Sequence, residues 1–182
     1  MPEILDDLRT DHRNIAHLLD LLEREIDAVE RIRDADFELM RDIMHYMTHY
    51  PDHTHHPKED LMFERLRARS ARAPAVVEQL RREHQGLATK GRALLEVLSR
   101  VVDGGIVERT ELAGAARDYA GFLRHHMRVE DGEAFPLAES TLHDEDWAAV
   151  ARAFERRGDP VFGPVVAEEY RDLLAHIDRA AS

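Results

Sequence analysis

Two short stretches of the chain echo each other, His55-His56-Pro57-Lys58-Glu59-Asp60 and His125-His126-Met127-Arg128-Val129-Glu130-Asp131. Each offers a histidine followed four residues later by a glutamate, His55 with Glu59 and His126 with Glu130. On a helix, residues four apart lie on one face, about one turn from each other. An imidazole and a carboxylate therefore reach the same point in space. Two such points, one per helix, suit a pair of metal ions bridged by carboxylates. Two more histidines, His12 and His84, sit in stretches with helical apolar spacing. The four histidines are separated by 43, 29 and 42 residues, one per long segment. Four buried imidazoles and two buried carboxylates at one level would be costly without a compensating cation.

These residues need four helices to carry them, and apolar residues recur at three- and four-residue spacing in four long segments. The first runs from Pro2 to Arg33, with Leu5, Leu8, His12, Ile15, Leu19, Leu22 and Ile26 on one stripe. The second spans Ala35 to Arg69, and Pro51 and Pro57 are expected to kink or unwind it. The third opens after Pro74 and runs to Val102, where Asp103-Gly104-Gly105 stops it. Its stripe reads Val77, Leu80, His84, Leu87, Gly91 and Leu95. The fourth runs from Glu108 to Leu137, with Leu112, Tyr119, Phe122, Leu123 and His126 inward. Short connections make consecutive helices antiparallel, so the expected fold is an all-α, up-down-up-down four-helix bundle over residues 1–138. Residues 139–182 are expected to form a helical extension packed on the bundle. Its two shorter helices, Asp144 to Arg157 and Val165 to Ala180, carry Trp147, Val150, Phe154 and Phe162.

Composition removes several function classes. The formal charge of −12 argues against a nucleic-acid partner, since a phosphate backbone would be repelled. A local basic run, Arg65, Arg67, Arg69 and Arg72, reads as a solvated connection between helices. The sequence holds no cysteine, which excludes disulfides, zinc ribbons and cysteine-ligated iron–sulfur clusters. Neither a signal peptide nor a membrane-length apolar run is visible, so no membrane partner and a cytoplasmic location are expected.

Imidazole and bridging carboxylate without thiolate suit iron, manganese or zinc over copper(I), and disfavour magnesium and calcium. An oxo or hydroxo bridge would lower the positive charge left by two divalent ions on two carboxylates. Some register alternatives stay open. Asp131 competes with Glu130 as the bridge. His56 with Asp60 competes with His55 and Glu59, because Pro57 blurs the helical register. His17, His45, His49, His53 and His125 read as surface or supporting groups, and Tyr119 and Thr48 as core residues or donors near the site.

The motifs Asp11-His12-Arg13, His55-His56-Pro57-Lys58-Glu59-Asp60, Glu83-His84-Gln85 and His126-Met127-Arg128-Val129-Glu130-Asp131, closing in Phe135-Pro136, carry a family resemblance. Between Asp11 and Pro136 the chain resembles the hemerythrin-like (HHE cation-binding) proteins, helical bundles that hold a non-haem di-iron centre. The resemblance supplies iron as the metal and dioxygen, hydrogen peroxide or nitric oxide as the small-molecule ligand. The ligand set so implied is His12, His55, His84 and His126, with Glu59 and Glu130 bridging. Oxygen carriers of the family have a second histidine one turn after the third-helix one, where this chain has Ala88. The pattern looks instead like the four-histidine, two-glutamate version of repair and sensing members. It implies an open position on both irons. A role in oxidative or nitrosative stress is expected, with iron-responsive sensing, or iron delivery and repair, as alternatives. The protein partner of a sensor is not specified by these residues.

Overall fold

A computed structural model describes residues 3–153 and 159–180. Pro2, Phe154 and Arg157, which the sequence assigns to helices, lie outside the described residues. Eight α-helices follow in chain order: α1 (Glu3–Glu30), α2 (Phe37–Tyr50), α3 (His56–Arg69), α4 (Ala73–Val102), α5 (Arg109–Val129), α6 (Phe135–Thr141), α7 (Asp144–Ala153) and α8 (Arg171–Ala180). The described residues contain no strand, so the fold is all-α as the periodicity predicts.

Two pairs of these helices are single rods in disguise. A π-helical turn, Pro51–His55, joins α2 to α3, and another, Glu130–Ala134, joins α5 to α6. The first follows from Pro51, whose missing N–H and bulky ring disturb the regular ladder without ending the helix. The second is not foreshadowed by any proline within it, and it divides the rod expected to run unbroken to Leu137. The rods then close a four-sided box, α1 against α5, α5 against α4, α4 against α2 and α2 against α1.

Local chemistry sets the ends. The Asp36 carboxylate accepts the Leu39 N–H at 2.9 Å and caps α2. Pro74 sits in the first turn of α4, where an amide proton has no partner to lose. Past Val102, Gly104 takes φ +85° and lets Gly105 donate to the Arg100 carbonyl at 2.8 Å. Gly91 serves a different need, since a Cβ there would stand 3.0 Å from Thr48 Cγ2 and 3.2 Å from Tyr119.

Apolar residues form two separate buried clusters. One gathers Leu5, Leu8, Met62, Phe63, Leu66, Val77, Leu80, Phe135 and Val150. The other holds Ile15, Leu19, Leu22, Ile26, Ile43, Leu87, Leu94, Leu112, Tyr119 and Leu123. His12 falls between Leu8 and Ile15, His84 between Leu80 and Leu87, and His126 between Leu123 and Phe135. The break in the apolar core is thus a polar layer, and the π turns lie at its level.

Residues after 138 contribute to both clusters. Val150 and the half-buried Trp147 join the first, and Val161, Tyr170, Leu173 and Ile177 the second. The expected start of the last helix at Val165 is not observed. The Ala167 N–H closes a loop onto the Pro160 carbonyl at 2.9 Å, and helix resumes only at Glu168. Arg69 is also more than a solvated residue of a basic connection. Its Nε donates to buried Asp146 at 2.9 Å, tying α3 to α7. No helix among the described residues is long and apolar enough to cross a membrane.

Candidate metal centre

All six of the inward residues expected from the sequence are buried, with His55 and His126 1 % exposed and Glu59 and Glu130 fully buried. The two glutamates lie between the histidines oxygen by oxygen. Glu59 Oε1 is 3.2 Å from His55 Nε2 and 3.6 Å from His12 Nε2, while its Oε2 is 3.4 Å from His84 Nε2. Glu130 Oε2 is 3.3 Å from His12 Nε2, and its Oε1 is 3.1 Å from His126 Nε2 and 3.5 Å from His84 Nε2. Each carboxylate therefore turns one oxygen to His12 and the other toward the His84 side.

Despite this crowding, most atoms of the inner faces lack a hydrogen-bond partner. Nε2 of His12, His84 and His126 and all four oxygens of Glu59 and Glu130 are buried without a partner in hydrogen-bonding geometry. Native proteins leave only a few such atoms unsatisfied per hundred residues. Seven converging on one point fit a cation pair, because each is a lone-pair donor of the kind that iron, manganese or zinc accepts. Two ligand groups are geometrically able to hold an ion, His12 with His55 and Glu59, and His56 with Glu59, His84 and His126. Within each group the ligand atoms lie within 4.8 Å of one another, and Glu59 belongs to both.

The outer ring nitrogens are equally organised. Nδ1 of His12 bonds to Asp131 at 3.1 Å, that of His55 to Asp11 at 3.0 Å, that of His84 to Asp60 at 3.0 Å and that of His126 to Glu83 at 2.8 Å. A carboxylate can only accept, so each Nδ1 carries the proton and each Nε2 keeps its lone pair free for a cation. The competing carboxylates take different sides of the rings. Asp131 and Asp60 face the backs of His12 and His84, whereas Glu130 and Glu59 face the centre.

Without a cation, protons take its place. Burial alone would lower the histidines, but the surrounding carboxylates outweigh it. Asp131, Glu130 and Glu59 hold His12 well above its ordinary value, Glu59 and Asp11 raise His55 to about 9, and Asp60, Glu130 and Glu59 raise His84 to about 12. Burial would raise the two glutamates, yet the imidazoles keep both below the ordinary carboxylate range.

The hemerythrin HHE cation binding domain model matches residues 3–138. The chain belongs to the hemerythrin HHE family. No curated protein matches the chain. Membership in this family implies cation binding, and the buried histidine–glutamate layer of α1, α3, α4, α5 and the two π turns is where this chain has donors to spare.

The remaining candidates fall outside the layer. His17, His49, His53, His125 and His143 are exposed and His45 is half-buried. Thr48 donates to the Met44 carbonyl at 2.9 Å, and Tyr119 packs in the core against Gly91. Sequence reading missed the supporting carboxylates as a set, and missed Tyr50, whose hydroxyl donates to Asp11 at 3.2 Å behind His55. The available signal was adjacency, since Asp11, Asp60, Glu83 and Asp131 each neighbour a candidate ligand in sequence.

Proposed function

We propose that this hemerythrin-family chain is a non-haem di-iron protein that binds or reacts with a small oxidant, dioxygen, hydrogen peroxide or nitric oxide. His12, His55, His84 and His126 are the proposed histidine ligands, with Glu59 and Glu130 bridging. The observation that carries this reading is the division of each carboxylate between the two sides of the layer, which is what a bridging ligand requires. Iron and the oxidants come from the family resemblance; the donor set alone is also open to manganese or zinc. When bound, a ferrous pair supplies the electrons and coordination positions that such oxidants use. The chain's own share is to fix the imidazoles through Asp11, Asp60, Glu83 and Asp131 and to keep bulk water out of an apolar-walled layer. A surface cleft of about 610 Å³, whose lining includes Arg9, His12, Arg124, Arg128 and Asp131, lies on the Asp131 side of His12 and is the proposed approach for a small molecule. A cytoplasmic role in oxidative or nitrosative stress completes the proposal.

Stopped-flow mixing of the reduced, iron-loaded protein with each oxidant tests it. Rapid conversion to a diferric spectrum by at least one oxidant is expected. A long-lived coloured complex that releases oxygen under vacuum would restore a carrier role, and inertness to all three would overturn the reading.

A second reading, an iron-responsive sensor, is favoured by one buried chain of contacts. The Tyr46 hydroxyl donates to Asp159 in the tail at 2.8 Å, Tyr46 stacks on Tyr50 at 5.6 Å, and Tyr50 reaches His55 through Asp11. Metal-dependent hydrogen-exchange protection of residues 159–177, abolished by Tyr46→Phe and without oxidant turnover, would favour it.

A further inference from the structure

His56 shares with the four inward histidines a buried ring in the same layer and a carboxylate at its Nδ1. It is 7 % exposed, its ring stacks on His84 with centroids 4.3 Å apart, and it lies edge-on to His126 at 6.0 Å. Its Nδ1 is 3.2 Å from Asp52, one turn earlier in the first π turn. That is the same arrangement of carboxylate behind imidazole found at His12, His55, His84 and His126. The exposed His49 and His53 instead turn Nδ1 to backbone carbonyls at 2.7 and 2.8 Å. With Nδ1 held by Asp52, Nε2 is the nitrogen left to a cation, and His56 already belongs to the ligand group of Glu59, His84 and His126. Consecutive residues on a regular helix point about 100° apart. The π turn that ends at His55 is what brings His55 and His56 inward together, their rings 5.6 Å apart.

We propose that His56 is a fifth imidazole ligand, completing the ion held by His84 and His126 and leaving the open position on the ion held by His12 and His55. This inference rests on the dinuclear reading above and deepens it. It replaces the symmetric pair of vacancies expected from Ala88 with one vacancy. A ligand lost from α4 is made good from α3, a different wall of the box. The vacancy then falls on the ion of His12, whose outer side, with Asp131, lines the 610 Å³ cleft, whereas His56 does not line it. The bland alternative is a core histidine that merely stacks on His84 and bonds to Asp52.

The test compares wild type, His56→Ala and His56→Gln by anaerobic iron(II) titration against a chelator, with Mössbauer spectra of the diferric forms. Wild type is expected to take two ions and to show two quadrupole doublets of equal area. His56→Ala should keep one ion at wild-type affinity and bind the other at least about tenfold more weakly, a loss of the size seen when support of a metal ligand is removed. Free imidazole at millimolar concentration should restore that second ion, which a packing defect would not allow. Azide should bind once per wild-type pair and twice per His56→Ala pair. Two ions bound to His56→Ala with wild-type affinity and spectrum would overturn the assignment of His56 while leaving the dinuclear centre intact. Fewer than two ions in wild type would overturn both. Should His56→Ala lose its helical circular dichroism, His56→Gln and the wild-type doublets decide, and a single wild-type doublet refutes the proposal.

Discussion

Glu83 accepts a hydrogen bond from His126 Nδ1 at 2.8 Å, although its neighbour in sequence is the other candidate ligand, His84. The same displacement recurs around the layer. Asp11 beside His12 serves His55, Asp60 beside Glu59 serves His84, and Asp131 beside Glu130 serves His12. Each rod therefore supplies a group to the centre and a brace to the rod next to it. Packing of the box and orientation of the imidazoles are one set of contacts.

Centre and brace should separate cleanly under mutation. On the proposed assignment Glu59→Ala and Glu130→Ala each remove a bridging donor and are expected to abolish most metal binding. Glu83→Ala and Asp131→Ala remove only support, so affinity should fall by about 10–100-fold while the ions still bind at saturating metal. His17→Ala and His143→Ala should change nothing. Metal content by mass spectrometry of the elements checks all six, and Asp131→Ala stripping metal more completely than Glu130→Ala would reverse the choice between these two carboxylates.

The metal-free and metal-loaded proteins should respond oppositely to pH. In the metal-free protein His55 is raised to about 9 and His84 to about 12, so both hold protons at neutrality. An incoming ion must displace them, and binding should release protons and tighten as pH rises from about 6 to 8. Calorimetry in buffers of different ionisation enthalpy measures the release. For folding, a raised pKa gives stability that is complete below the unfolded value of about 6.5 and is lost as pH climbs through about 9. The metal-free melting temperature should fall over that interval, and a rising one would contradict the assignment of proton-bearing imidazoles.

Much of this architecture was legible from periodicity. The stripe Leu5, Leu8, His12, Ile15, Leu19, Leu22 and Ile26 is buried throughout, because a 3.6-residue repeat leaves one face no alternative to the core. Residue order gave less notice of the second π turn than of the first. Gly132 is a poor helix former and Pro136 has no N–H to bond to the Gly132 carbonyl, but neither foretold that the turn sets Glu130 inward while Asp131 reaches His12. The braces were hidden for a related reason. Adjacency marked Asp11 and Glu83 as notable, but which imidazole each supports depends on contacts across rods. Phe122, expected inward, is only half-buried beside Lys90, and Leu94 takes the buried position expected for Leu95.

One local strain should be removable. Ile32 ends α1 with φ +55°, a left-handed conformation that costs a β-branched residue about 1–2 kcal/mol. Its side chain is 78 % exposed, so little packing would be lost. Ile32→Gly relieves the strain at an entropic cost of about 0.5–1 kcal/mol. A gain of roughly 1 kcal/mol corresponds to about 2–4 °C in Tm for a chain of this size. Thermal denaturation of the metal-free protein checks this, and a lowered Tm would refute it.

Metal saturation should stabilise the fold, since the unfolded chain does not assemble the layer. Free metal at 100 times Kd should add about 2.7 kcal/mol. At the same free metal the gain should shrink in Glu59→Ala by up to about 1.4 kcal/mol for each tenfold loss of affinity. An equal metal-induced shift in both proteins would place the stabilising ion elsewhere.

The central claim is that one buried layer holds two ions, and counting them tests it most directly. Protein purified anaerobically from iron-replete cells should carry about two iron ions per chain by elemental analysis. About one ion per chain, or zinc in excess of iron despite the iron supply, would contradict the dinuclear iron centre.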